Sequence, residues 1–176
     1  MVRRKTESGR SIVEMLGVLA IMGVITVMGI SGYSQAVARI NRNKMVEDIT
    51  RLAQEVRTVY AGRNSYATLT QADVYTIMGV ANPYPNPFGG NYYIGRSNEN
   101  TGFFCVSSTN ISYQDCLYFY NMQWMDARSG NGTSSGGFPL VSDASLTPSS
   151  EVITAPNASN TCTTGGTTHS IVLCYQ

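Results

Sequence analysis

The residues able to do chemistry are few and fall near the two ends of the chain. Near the start, Gly9 and Arg10 precede a single carboxylate, Glu14, and no charged residue follows it from Met15 to Ala38. A charge at the edge of such an apolar run is costly in a bilayer, so it needs a partner or a task. In the last half of the chain stand four cysteines, Cys105, Cys116, Cys162 and Cys174. An even count confined to one side points to two disulfides in an oxidising compartment, and four cysteines allow three connectivities. A zinc site would want a C-x-x-C pair and more than the one histidine present, His169. His169 has hydroxyl residues beside it, but no nucleophile elbow, paired carboxylates or lysine-bearing phosphate loop accompanies it. It reads as a surface or strand-edge residue. The chain is therefore expected to be no enzyme and to carry no metal or cofactor.

The elements that must position these residues follow from periodicity. Met15 to Ala38 is 24 uncharged positions, and a helix rising about 1.5 Å per residue crosses a hydrocarbon core of about 30 Å over that length. Past Ala38 the helical pattern continues, because Val37, Ile40, Met45, Ile49, Leu52, Val56 and Val59 recur at threes, fours and one five. The first clear stop is Gly62. One helix is expected from about Ser11 to Ala61, apolar all round in its first half and amphipathic in its second. Gly17, Gly23, Gly29 and Gly32 interrupt it, as small residues do where membrane helices pack closely.

Three uses of the apolar run compete: a signal peptide, a plain anchor and a processed assembly helix. Arg3, Arg4 and Lys5 with Ala36-Val37-Ala38 fit a signal peptide cut after Ala38. That cut would release a secreted, disulfide-linked binding module beginning at Arg39. Glu14 then has no purpose, and Met15 to Ile30 is long for a signal-peptide core. Arg10 and Glu14 stand four apart on one helical face and can pair within the chain.

Charge is unevenly spread. Residues 1 to 63 hold ten Lys/Arg against five Asp/Glu, whereas residues 64 to 176 hold two against six, for a formal net charge of +1. After Arg63 only Arg96 and Arg128 are basic, too few for a nucleic-acid surface. Beyond Gly62, Thr70 to Met78 is predicted to be a helix, with Thr70 and Asp73 as capping pair and Gly79 as its stop. Asn82 to Gly90 (NPYPNPFGG) is expected to be a structured loop, since three prolines exclude helix or central strand. Asn91 to Gly95 and Thr101 to Ser107 read as strands joined by Arg96 to Asn100. Ser112 to Trp124 reads as a short helix capped by Ser112 and Asp115, and Ser170 to Tyr175 as a last strand. Ala127 to Thr168, rich in Ser, Thr, Gly and Asn, reads as exposed loops.

Gly9, Glu14 five residues later and the following apolar stretch resemble the class III signal of type IV pilins and pseudopilins. The head resembles the type IVb group in its order of short helix, Pro-Phe-Gly-Gly-Asn entry, two strands, cysteine-bearing helix (YQDCL) and final strand. The resemblance implies an α+β type IV pilin fold, with a long N-terminal helix packed on an antiparallel sheet. It divides the chain into a leader at 1–9, a membrane and assembly segment at 10–38, an amphipathic segment at 39–62 and a disulfide-stabilised head at 63–176. It also implies cleavage by a prepilin peptidase between Gly9 and Arg10, methylation of the new Arg10 amine, and Glu14 as the charge that docks a subunit. Arg10 departs from the Phe or Met usual at the first mature position. The resemblance pairs Cys116 with Cys162 and so Cys105 with Cys174, beside which the local pairing of 105 with 116 and 162 with 174 stays open. The implied role is a structural subunit of a surface filament, held in the inner membrane before assembly. Its partners would be copies of itself and a membrane assembly machinery. A type II secretion pseudopilin would share the helix.

Overall fold

A computed structural model of the chain describes residues 12–97, 101–122, 124, 140–142, 152–153, 162 and 168–176. The chain divides into two compact units, residues 1–40 and 41–176. Helix α1, Ile12–Val59, is 48 residues long. Within the first unit its large apolar side chains are exposed on every face, from Ile12 at 78% to Val18 at 45%. Beyond residue 41 one face is buried, carrying Met45, Asp48, Ile49, Leu52, Ala53 and Val56. Ile40, which the periodicity assigns to the seam, is instead 63% exposed. The five-residue gap from Ile40 to Met45 carries it off the 3.6-residue face that the later positions share. Tyr60 and Ala61 continue as a turn, and Gly62, at φ +80°, ends the run in the left-handed region that only glycine enters freely.

The second unit is an α+β domain. Helix α2, Gln71–Met78, begins where the Thr70 hydroxyl accepts from the Asp73 amide, and it ends at Gly79 in the left-handed conformation. Strand β1, Tyr84–Pro85, is a two-residue edge pairing with β2, Asn91–Ser97, and Pro85 costs the sheet nothing there. Strand β3, Phe104–Ile111, runs antiparallel to β2. Helix α3, Tyr113–Tyr120, starts at the Ser112 cap, whose hydroxyl accepts from the Asp115 amide. Two short strands, β4 (Leu140–Ser142) and β5 (Val152–Ile153), fall in the segment that composition marks as loops. Both take their place from pairing partners rather than from local pattern: β4 runs antiparallel to β6 and β5 parallel to the end of β2. Strand β6, His169–Tyr175, lies between β3 and β4, giving the order β1-β2-β3-β6-β4.

Alternate residues of β3 and β6, namely Phe104, Val106, Ile171, Leu173 and Tyr175, join the buried face of α1, Tyr92 and Ile94 in one apolar cluster. The intervening Cys105, Ser107, Val172 and Cys174 are buried too, so both faces of these strands are covered. Each fully buried aliphatic or aromatic side chain of this kind contributes about 1.5–3 kcal/mol.

Candidate functional site

Glu14 lies in the first turn of α1, two residues from the Ile12 start, and is exposed. A carboxylate there is favoured by the helix dipole. Gly9 and Arg10 lie outside the described residues. From Met15 to Tyr33 the large side chains are apolar and uncovered, and the helix that carries them is long and apolar enough to cross a membrane. Two hydroxyls of this half of α1 are satisfied internally: Thr26 donates to the Met22 carbonyl at 2.8 Å and Ser34 to that of Ser31 at 2.9 Å. Back-bonding of this type leaves those two hydroxyls with no need of water. Added methyl groups at Gly17, Gly23, Gly29 and Gly32 would meet nothing within 4 Å. Nothing among the described residues therefore demands those glycines.

The second half of α1 is tied into the head by polar as well as apolar contacts. Asp48 is 7% exposed and accepts hydrogen bonds from the hydroxyls of Tyr84, at 3.3 Å, and Tyr92, at 3.2 Å. Burial, and then the Asp48 charge, push both phenols above their ordinary range, and burial does the same to Tyr75. Arg42 pairs through Nε with Asp115 at 2.7 Å and lies 4.7 Å from the Tyr118 ring centre. Sequence reasoning missed both arrangements. The signal for Asp48 was its spacing, three after Met45 and four before Leu52, which sets it on the buried seam.

The four cysteines form two disulfides. Cys105 and Cys174 are direct partners across β3 and β6, with Cα atoms 4.0 Å apart, and Cys116 of α3 bonds Cys162. His169 is neither a surface nor an edge residue. It opens β6 opposite Ile111, is 1% exposed, and its ring sits 6.2 Å from that of Tyr113. Position beside α3 and in the middle of the sheet explains the burial, which the surrounding Thr and Ser residues conceal in the sequence. Among the described residues no group of acidic, histidine and cysteine side chains is placed to hold a metal ion.

No family model matches the chain. The major structural subunit of bundle-forming pilus from Escherichia coli O127:H6 (strain E2348/69 / EPEC) is 22% identical over 185 residues, covering 97% of this chain and 95% of its own length. The protein of that description from Escherichia coli O111:H- is 22% identical over 144 residues, 76% of this chain and 74% of its own. Those relatives are structural subunits. The similarity to the first of these runs almost end to end, and the chain joins a long N-terminal helix to an α+β sheet, the arrangement expected of a type IV pilin.

Proposed function

We propose that this chain is a subunit that polymerises through α1 into a filament on the bacterial surface. The observation that carries the reading is the contrast along one helix. Ile12 to Ile30 expose a full circumference of large apolar side chains, while between Met45 and Val56 one face is buried in the head. The exposed half needs a bilayer before assembly and neighbouring copies of itself afterwards, because water is the one environment it cannot occupy cheaply. In this reading residues 1–9 are a leader removed by a prepilin peptidase, 10–38 the membrane and assembly segment, 39–62 the amphipathic continuation and 63–176 the displayed head. Cleavage between Gly9 and Arg10 would free an α-amino group, the site of methylation. Glu14 of an incoming copy would pair with that amine in a dehydrated setting and fix axial register. Membrane machinery would move the subunit from the inner membrane to the filament, where the head faces outward.

The test is the intact mass and N-terminal sequence of the mature protein recovered from its native membrane, with filaments counted by electron microscopy. A chain beginning at Arg10 and present in filaments is the expected result. One beginning at Arg39 and found free in the medium would sink the proposal. Replacing the charge, Glu14→Ala, should leave membrane insertion intact and cut filament yield at least about tenfold, the loss of one desolvated ion pair.

A further inference from the structure

The Arg42 side chain is held from two directions. Its Nε is bonded to Asp115 at 2.7 Å, and its guanidinium lies over the Tyr118 ring at 4.7 Å. Neither contact uses the two terminal nitrogens, which make no hydrogen bond to the described residues. A guanidinium fixed in this way keeps a free two-pronged donor face, the geometry that matches a planar carboxylate. Arg42 lines an open cavity of about 470 Å³ whose other walls are Gln114, Leu117, Tyr118, Asn121 and Met122. The Asn121 amide nitrogen is committed to the Leu117 carbonyl at 2.8 Å, which leaves its amide oxygen as an acceptor. Gln114 is exposed, and both ends of its amide are available. Leu117 and Tyr118 are 37% and 43% exposed and with Met122 form the apolar side of the pocket, opposite the polar groups of Arg42, Gln114 and Asn121.

We propose that this cavity binds a sugar acid, with the carboxylate on the Arg42 fork, ring hydroxyls donating to the Asn121 and Gln114 amide oxygens, and the carbon face against Leu117 and Tyr118. The paired amide acceptors decide between ligand classes. A bare carboxylate brings no donors to satisfy them, whereas a polyhydroxylated acid carries several on the same rigid ring, within reach of both amides. Preorganisation of Arg42 by Asp115 and Tyr118 removes the ordering cost that a free arginine would meet on binding. Asp115 also neutralises part of the charge, so selectivity comes from the shape of the fork rather than from net attraction.

The experiment is ligand-detected NMR on the full chain in detergent, titrated separately with glucuronate, glucose and glutamate. Glucuronate should bind saturably in the millimolar range, at least about tenfold more tightly than glucose, as a charge-assisted bidentate contact requires. Arg42→Gln should abolish binding. Because that change also frees Asp115, Gln114→Glu is the second variant: it leaves the Arg42–Asp115 pair untouched, puts a like charge beside the ligand and should weaken glucuronate at least about tenfold. Equal binding of glucose, the absence of saturation by glucuronate, or an unchanged affinity in Gln114→Glu would overturn the proposal. Glutamate binding as tightly as glucuronate would overturn the sugar assignment in favour of an acidic protein surface.

Discussion

Asp48 is a carboxylate on an otherwise apolar helix face, satisfied by two phenols that reach it from the sheet side. Removing it strands the Tyr92 hydroxyl in the core and deprives the half-buried Tyr84 of its partner, and a buried donor without an acceptor costs about 1–3 kcal/mol. Asp48→Ala should therefore lower unfolding stability by about 2–4 kcal/mol, and Asp48→Asn, which keeps an acceptor, by less than half of that. Urea unfolding in detergent checks the order. Gly90 is a second residue with no substitute. A methyl group there would stand 2.2 Å from the Thr109 carbonyl oxygen and 2.7 Å from the Asn110 Cβ. Backbone rather than a pliable side chain is in the way, so Gly90→Ala should destabilise the head by more than about 3 kcal/mol, read as loss of folded protein. The neighbouring Asn86 shows what the close approach achieves: its amide donates to the Ser108 hydroxyl and the Thr109 carbonyl while its oxygen accepts from the Phe88 and Gly90 amides. The proline-rich loop is thereby fastened to β3.

Among the elements, those with local signals were legible in the sequence. The two capping pairs, Thr70 with Asp73 and Ser112 with Asp115, mark the starts of α2 and α3, and Gly79 marks a stop. β4 and β5 had no such signal, because a two- or three-residue strand is specified by the edge it meets and not by its own composition. His169 failed for a related reason: its neighbours in sequence are polar, but its neighbours in space are Ile111 and Tyr113. The spatial proximity of Cys105 and Cys174 likewise follows from strand register, which a count of cysteines does not contain. Of the two bonds, Cys116–Cys162 closes 46 residues of chain and tethers α3. By loop entropy its removal as Cys116→Ser with Cys162→Ser should cost about 4 kcal/mol, measurable as a lower thermal midpoint with the sheet's circular dichroism retained at low temperature.

For the molecule as a whole, titration offers a test of how tightly the core is closed. Tyr92, Tyr75 and Tyr84 are raised chiefly by burial, with Asp48 adding to the shift of Tyr92 and Tyr84. The unfolded chain therefore gives up phenolic protons near the ordinary value of about 10, while the folded chain keeps them. Stability is full below about pH 10 and falls as pH rises above it, since the unfolded state is the one that ionises first. Thermal midpoints taken on either side of that pH, with tyrosinate absorbance followed in parallel, should show ionisation and unfolding arriving together. The sheet order adds a statement about time. β6 sits between β3 and β4, yet Cys174 is made 69 residues after its partner Cys105. A head made from its N-terminus onward thus waits with β3 open along one edge, a thiol uncapped and α1 without part of its apolar floor. Arrested chains ending before residue 169 should accordingly label at Cys105 with a thiol probe, and chains that include Cys174 should not.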